Sequence, residues 1–300
     1  MPNPKIYILV INWNNYDDTR ECLVSLKGVL YQDYTVVVID NSSSDSSDEK
    51  IRKEFPEFIH IRNHENLGFA EGNNIGIERA MHDGADYVWI LNNDVTVKPD
   101  SLTELVSAAK TYDKIGILGP KVYYYHDTQK IFSAGAKIIR WSGRSVSLGQ
   151  NEYDEGQYDK AGPADYISGC SLFASVKMFR DIGLFDVRYF MYYEETDLAV
   201  RARKRGWKVM YIPKSIVLHK HASTVKKLSL LSDYYICRNN LLFVWKNYRL
   251  FFISAFIRSL RYDIVGHLFG LRIPNLFNSL TAYRDFICGN FGRRREEFAP

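Results

Sequence analysis

The chain of 300 residues is 46% hydrophobic and 25% charged, which allows one large globular domain, or one domain with an appendage, and excludes a disordered or low-complexity polypeptide. Residues 201–300 hold 19 Lys and Arg against 5 Asp and Glu, a net charge of +14, whereas residues 1–200 have a net charge of −10, so we expect two surfaces with different partners. The four cysteines form no Cys-x-x-Cys motif, which argues against a zinc or thiol-redox site and fits a reduced, cytosolic compartment.

Apolar runs rich in β-forming residues alternate with helix-like segments over the first 125 residues. The predicted strands are 5–12, 34–41, 58–63, 87–94 and 115–125, and the predicted helices between them are 17–29, 43–55, 69–84 and 99–112. Continuously apolar strands that alternate with helices indicate an α/β fold with a mostly parallel central sheet flanked by helices. No Gly-x-Gly-x-x-Gly follows the first strand, which disfavours a dinucleotide site.

The second half of the chain is less regular. We predict mixed strands and loops over 126–165, small residues leading into a helix over 168–186, a helix over 194–207 and a strand over 208–221. The helix at 194–207 starts with acidic residues and ends with basic ones, as the helix dipole favours.

From residue 226 onward, aromatic and aliphatic residues are interrupted by Lys or Arg every few positions. One interpretation is an amphipathic helical region that lies on an anionic membrane surface, and the net charge of the last hundred residues favours it. The other is a helical pair packed on the main domain or on a second subunit, so a homodimer is a further expectation. No uninterrupted apolar run approaches the roughly 18 residues of a spanning helix, and the N-terminus is typical of a first strand rather than a signal peptide.

Polar side chains follow four of the predicted strands, at the point where each strand ends. They are Asn12, Asn14 and Asn15, then Asp40 and Asn41, then Asn63 and Asn66, and finally Asn92, Asn93 and Asp94. A single cluster of this kind is ordinary turn chemistry. Because the carboxyl ends of parallel strands meet at one edge of a sheet, the four clusters together predict a polar ligand site there.

Six motifs in order resemble the family 2 glycosyltransferases of the GT-A fold, and in particular the rhamnosyltransferase-like enzymes that build bacterial surface polysaccharides. The motifs are VVVIDNSSSDSS, NLGFAEGNNIGI, YVWILNNDV, SGCSLF, GLFDVRYFMYYEETDLAVRARKRGW and HKHAST. The resemblance covers roughly residues 5–225 and implies a GT-A catalytic domain over 1–225, followed by a C-terminal helical extension over 226–300. The later segment YYICRNNLLFVWKNY is similar to that group as well.

The resemblance implies a metal site and a catalytic base. Asp94 stands where the family's metal-binding Asp-x-Asp ends, with Asn92 in its first position, and would bind Mn²⁺ or Mg²⁺ that grips the donor diphosphate. His219 matches a histidine that completes the metal site in some members. Glu195 stands where the base is usually an aspartate, and Glu194 or Asp197 are the alternatives.

The remaining implied roles concern the donor nucleotide. Asp40 would read the edge of the nucleobase. The other residues expected to bind the nucleotide-sugar are Asn12, Asn14, Asn66, Gly68, Asn73, Asn92 and Asn93. Each also has a purely structural explanation as a turn or cap residue, and we expect Trp13, Trp89 and Trp141 to belong to the core.

The implied activity is an inverting, metal-dependent transfer of rhamnose or a similar hexose from a dTDP- or UDP-sugar to a saccharide or lipid-linked saccharide. The enzyme would be peripheral on the cytoplasmic face of the cell membrane, and we expect no nucleic-acid partner. Two alternatives stay open: a sugar-phosphate nucleotidyltransferase, although NWNNYDD lacks the Gly-rich basic loop of that class, and a non-catalytic, degenerate transferase that acts as a scaffold.

Overall fold

The computed structural model describes residues 3–220, 223–270 and 273–294, without the side chains of 223–230, 264 and 267. The strands are β1 Ile6–Asn12, β2 Tyr34–Asp40, β3 Ile59–Arg62, β4 Tyr87–Asn92, β5 Val95–Val97, β6 Ile115–Tyr124, β7 Asp127–Ser133, β8 Ala136–Ile139, β9 Arg144–Ser147, β10 Gly162–Pro163, β11 Ser171–Ser175 and β12 Lys208–His219. The α-helices are α1 Tyr16–Lys27, α2 Ser47–Glu54, α3 Gly68–His82, α4 Ser101–Thr111, α5 Val176–Ile182, α6 Glu194–Lys204, α7 Ser223–Asn247, α8 Phe252–Ser259, α9 Gly266–Phe269 and α10 Ile273–Cys288. Short 3₁₀ turns occur at Val187–Tyr189 and Arg249–Phe251, and a π-helical turn joins α8 to α9 at Leu260–Val265.

A mixed central sheet runs through the described residues in the order β10-β12-β6-β11-β4-β1-β2-β3, with β5 paired to β12 and β7 to β6. The half formed by β3, β2, β1 and β4 is parallel, as predicted, and β6 and β12 are parallel to each other. The predicted α/β fold with flanking helices is therefore confirmed. One element differs: β11 lies antiparallel between β4 and β6, inside a segment for which we predicted only small residues and a helix.

Alternation along the strands divides the hydrophobic core into two layers. In β1, Ile6, Ile8 and Val10 pack with α1, α2 and α4, whereas Tyr7 and Leu9 pack with α3, α5, α6 and α7. All five are nearly or fully buried, and each such side chain contributes about 1.5–3 kcal/mol of hydrophobic free energy. A β-carbon on Gly76 of α3 would stand 2.6 Å from the Ile39 side chain, so only glycine lets α3 approach the sheet this closely.

The C-terminal helices form the predicted helical extension, and α7 is packed into the body of the molecule. It contacts α6, α8 and α10, and its side chains Tyr234, Tyr235, Leu241 and Phe243 are buried. The proposed boundary at 225 falls inside the first turn of α7 and stays a prediction. None of the described helices is both long and apolar enough to cross a membrane.

Candidate active site

A cavity of about 350 Å³ opens at the carboxyl ends of β1, β2 and β4, the edge of the sheet that the strand-end clusters predicted. It brings together residues that are far apart in the sequence. The sequence-predicted residues that line it are Asn66, Gly68, Asn92, Asn93, Asp94, Glu194, Glu195 and His219. Asn12, Asn14, Asp40, Asn73 and Asp197 do not line it.

Asp94 and His219 meet because of strand pairing. The strand predicted to run through residue 94 ends at Asn92, and Asn93 and Asp94 form a turn into β5, which pairs antiparallel with β12 and sets His219 opposite Val95. His219 Nε2 lies 3.2 Å from Asp94 Oδ1, and both residues are buried. The ring of Phe132 stands edge-on against the imidazole at 4.6 Å and fixes its orientation.

The residues present fit a divalent cation. Asp94 Oδ1 is buried, and beyond its contact with His219 Nε2 it accepts no hydrogen bond from any described residue, which is costly for a carboxylate that has no further ligand. Oxygen and imidazole ligands suit Mn²⁺ and Mg²⁺. Within the described ranges no group of three His, Cys, Asp or Glu could hold a metal, so a cation bound by Asp94 and His219 would take its other ligands from substrate or water.

Glu194 and Glu195 begin α6 on the opposite wall of the cavity. Glu194 is buried and Glu195 is half-buried, and in each the Oε2 atom is buried without a hydrogen-bond partner among the described residues. Burial raises the pKa of Glu194 well above its usual range, and the neighbouring charge of Glu195 raises it further. Burial also raises the pKa of Glu195, to about 7, against the opposing effect of backbone N–H groups at the helix start. The directions of these shifts make Glu194 the carboxyl group that favours its neutral form more strongly, and leave Glu195 as the candidate base.

Asp197 lies outside the cavity, although it shares the first turn of α6. It is fully buried, and its carboxylate accepts hydrogen bonds from Arg201 at 2.8 Å, from Lys246 at 2.8 Å and from Asn247 at 2.8 Å. These contacts tie α6 to α7. Asp197 therefore has a structural role, like many acidic residues in the first turn of a helix, and it is not placed to act as the catalytic base.

The residues predicted to bind the nucleotide divide into two sets. Asn66 and Gly68 line the cavity, and Asn66 Oδ1 accepts a hydrogen bond from the Gly68 N–H at 2.9 Å. Asp40 and Asn12 are buried instead, and Asp40 accepts hydrogen bonds from Asn12 Nδ2 at 2.8 Å and from the Ser43 N–H at 2.9 Å.

Asn14 and Asn73 also bond within the protein: Asn14 Oδ1 accepts from the Ser44 N–H at 2.7 Å, and Asn73 donates to the Phe69 carbonyl at 2.9 Å. The network around Asp40 and Asn14 fixes the connections after β1 and β2, on which Trp13 and Asn41 are carried to the cavity wall.

Sequence reasoning missed several residues of the wall. Trp13 lines the cavity rather than the core, Trp141 is exposed, and Trp89 is buried as predicted. Asn15 and Asn41, two of the strand-end polar residues, line the wall as well. The other wall residues, which were not predicted, are Ile11, Phe69, Phe132, Ser168, Gly169, Cys170, Phe190, Met191, Tyr192, Leu231 and Tyr235. Tyr235 lies in the later segment that resembles the family, whereas Leu231 carried no signal, because α7 reaches the cavity only through tertiary packing.

Comparison with known proteins decides the family. Residues 7–180, more than half of the chain, match the sequence model described as Glycosyl transferase family 2. The chain belongs to glycosyltransferase family 2. A curated relative of this glycosyltransferase is the N-acetylglucosaminyl-diphospho-decaprenol L-rhamnosyltransferase of Mycobacterium tuberculosis, 29% identical over 237 residues, which cover 72% of this chain and 76% of the relative.

Solved structures show the GT-A-like fold of this family 2 glycosyltransferase. GalNAc-T7, solved with UDP, GalNAc and Mn²⁺, superposes with a TM-score of 0.60 at 16% identity over 88% of this chain. The chain spans 58% of the length of that structure. A mannosyltransferase from Pyrobaculum calidifontis, solved with GDP-Man and Mn²⁺, superposes with a TM-score of 0.58 at 14% identity over 96% of this chain and 76% of its own. The enzyme class is thus established, and the scaffold and nucleotidyltransferase alternatives have no support in these comparisons.

Proposed function

We propose that this family 2 glycosyltransferase is an inverting, metal-dependent enzyme of cell-surface polysaccharide synthesis. It would transfer rhamnose or a similar hexose from a dTDP- or UDP-sugar to a saccharide or lipid-linked saccharide. The observation that carries the proposal is that a buried Asp94–His219 pair and the neighbouring carboxyl groups of Glu194 and Glu195 line one cavity. The mycobacterial relative is named as an L-rhamnosyltransferase that acts on N-acetylglucosaminyl-diphospho-decaprenol, which supports rhamnose as the transferred sugar and a lipid-linked acceptor.

The roles of the residues follow from what each can do chemically. A divalent cation held by Asp94 and His219 would neutralise charge on the departing nucleoside diphosphate. Glu195, ionised at its catalytic pH, accepts the proton of the acceptor hydroxyl as that oxygen bonds to the anomeric carbon and the bond to the diphosphate breaks. A single direct displacement of this kind inverts the anomeric centre. The apolar wall formed by Phe69, Phe190 and Tyr192 keeps water from competing with the acceptor.

The test is release of nucleoside diphosphate from a panel of dTDP-, UDP- and GDP-sugars, with and without lipid-linked saccharide acceptors. We expect turnover of one donor, which EDTA abolishes and Mn²⁺ or Mg²⁺ restores. The anomeric configuration of the product, read by NMR, tests inversion directly. Equal turnover with EDTA and with Mn²⁺ would contradict metal dependence.

We also propose that the region from Arg249 to Phe269 docks the enzyme on the anionic cytoplasmic face of the membrane. Large apolar side chains there face solvent: Leu250 is 97% exposed, Ile253 73% and Phe269 83%. Arg249 stacks on Trp245 at 4.3 Å, and Arg258 stacks on Tyr262 at 5.5 Å, so cations lie beside the apolar side chains. Apolar side chains bordered by arginine suit the headgroup region of an anionic bilayer.

A further inference from the structure

The loop that leads into Glu194 has an unusual backbone. Phe190, Tyr192 and Tyr193 have φ values of 63°, 66° and 77°, in the left-handed region that large side chains rarely occupy. Residues with side chains are strained in this conformation, which persists only where its surroundings impose it. The loop Tyr189–Tyr193 directly precedes the two carboxylates of the cavity, so whatever imposes its shape also places them.

Asn239 of α7 holds three carbonyls of this loop with one amide group. Its Nδ2 donates to the carbonyl oxygens of Tyr189 at 2.8 Å, Met191 at 2.8 Å and Tyr192 at 2.9 Å. The side chain is fully buried. The carbonyls of Tyr189, Met191 and Tyr192 converge on one nitrogen only because the chain between them is curled, which agrees with the left-handed φ values and not with an extended segment.

Arg238 adds a buried positive charge on the same side. The guanidinium donates to the carbonyl of Arg188 at 3.3 Å and to that of Gly292 at 2.8 Å, while Nε donates to Asn239 Oδ1 at 3.1 Å. It stacks on the rings of Tyr234 and Tyr235, 5.2 and 5.1 Å away. Among the described residues it forms no salt bridge, so backbone carbonyl dipoles and ring faces stabilise its charge.

The loop is held from the other side by the start of α3. The N–H groups of Phe69 and Ala70 donate to the Phe190 carbonyl at 2.8 and 3.2 Å. A β-carbon on Gly68 would stand 2.5 Å from that oxygen, so the contact requires glycine. Both helices therefore hold the loop by hydrogen bonds to its carbonyl groups: α3 through backbone N–H groups, and α7 through side chains.

We propose that Asn239, supported by Arg238, is a positioning residue for catalysis: it sets the loop Tyr189–Tyr193 so that Glu195 faces the reacting hydroxyl. The inference rests on the proposed role of Glu195 as base and adds the segment YYICRNNLL to the catalytic apparatus. It makes α7 a working part of the active site rather than an appendage.

The test compares Asn239→Leu with Val244→Ala. The leucine variant keeps the number and branching of the side-chain heavy atoms and removes all three hydrogen bonds. Val244 is buried on the same helix but packs against Gly143, away from the loop, so its truncation lowers stability without touching the carbonyls. We expect kcat of Asn239→Leu to fall by up to about 100-fold, as displacement of a reacting group by an ångström can cause, with the donor KM nearly unchanged. The acid limb of the plot of kcat against pH should shift in Asn239→Leu, because the surroundings of Glu195 change. Val244→Ala should leave both kcat and the position of the acid limb unchanged.

An Asn239→Leu enzyme whose kcat equals that of Val244→Ala at matched loss of Tm would overturn the proposal. If the leucine variant does not fold, Asn239→Ser, which retains one donor, is measured instead, and wild-type kcat in that variant overturns the proposal equally.

Hydrogen–deuterium exchange of residues 187–197 separates this inference from the proposed function. We expect faster exchange there in the Asn239 variant and unchanged exchange in Val244→Ala. Should the wild type release no nucleoside diphosphate from any donor, the proposed function fails, and the exchange data alone decide whether Asn239 holds the loop. Unchanged exchange in the Asn239 variant overturns that claim.

Discussion

At the scale of single residues, two neighbouring carboxyl groups have different surroundings. Glu194 is buried beside a second carboxyl group, which favours its neutral form and raises its pKa, whereas the backbone N–H groups at the start of α6 favour the ionised form of Glu195 and oppose the rise in its pKa. A base with a pKa near the working pH combines useful ionisation with useful proton affinity. The glutamate at position 195 therefore suits the role that the family usually gives to aspartate.

The pH dependence of turnover tests this account. Burial raises the pKa of Glu195 to about 7, so the ionised base is scarce below neutral pH, and kcat should rise as pH rises through about 7. Glu195→Gln should lower kcat by roughly 100-fold or more, the usual contribution of a general base. Glu194→Gln serves as the matched comparison: an amide resembles the protonated carboxyl, so the acid limb should stay near its wild-type position. A profile that is flat across neutral pH in the wild type would contradict the assignment.

At the scale of elements, partly buried ion pairs attach α7 to the body of the enzyme. Lys246 of α7 bridges Asp186, at 2.7 Å, and Asp197 of α6, at 2.8 Å. Burial by itself would raise the pKa of Asp186, but Arg188 and Lys246 hold that pKa well below its usual range. The clustered charges therefore lock α6 and α7 together on the side of the loop that carries Glu194.

Lys246→Met should lower the free energy of unfolding by about 1–3 kcal/mol at neutral pH, since it leaves the buried carboxylate of Asp197 and the partly buried carboxylate of Asp186 with fewer partners. Because the folded pKa of Asp186 is depressed, this stabilisation is present above the unfolded pKa of about 4 and is lost as pH falls below it. Urea unfolding of both proteins across that range measures the difference. Lys204→Met, which removes an exposed lysine that bonds to Asn247, is the control, with an expected loss below about 0.5 kcal/mol. A constant difference at all pH values would contradict the ion-pair account.

Elements were predicted correctly where the pattern that specifies them lies within a short stretch of sequence. The cores of β1, β2 and β4 were predicted because a continuous apolar run is visible without any tertiary context. The five residues of β11 are too short to show a period, and small residues and a helix surround them. Asp94 and His219 were found at strand ends and by resemblance, whereas Tyr235 lines the cavity, and Asn239 bonds to the Tyr189–Tyr193 loop, through contacts between segments far apart in the sequence.

At the scale of the whole molecule, positive charge is concentrated towards the C-terminus. Residues 1–225 hold 27 Lys and Arg against 30 Asp and Glu, a net charge of −3, and residues 226–300 hold 12 against 5, a net charge of +7. The exposed apolar side chains of α8 and α9 lie in the second range. Since α8 packs on α7, and α7 supplies Leu231 and Tyr235 to the cavity, the surface that we propose for membrane contact is joined to the active site through one helix. A lipid-linked acceptor would then reach the cavity from the membrane.

Co-sedimentation with anionic vesicles tests the membrane surface. Ile253→Glu/Ile257→Glu places two carboxylates on the exposed face of α8 and should abolish pelleting without loss of stability, since both side chains already face solvent. Val24→Glu/Leu30→Glu makes the same change at exposed positions within residues 1–225 and should pellet like the wild type. Undiminished pelleting of the α8 variant would contradict the proposal. A dimer in solution that the α8 variant dissociates would instead identify a second copy of the chain as the partner.

The most direct measurement of the central claim is metal-dependent nucleoside diphosphate release by the wild type, by Asp94→Asn and by Asp100→Asn, whose exposed carboxylate lies outside the cavity. The account predicts that Mn²⁺-dependent turnover falls by roughly 100-fold or more in Asp94→Asn, as loss of charge stabilisation at the leaving group requires, and is retained in Asp100→Asn. Wild-type turnover in Asp94→Asn, with unchanged dependence on Mn²⁺, would show that the metal is held elsewhere and would contradict the account.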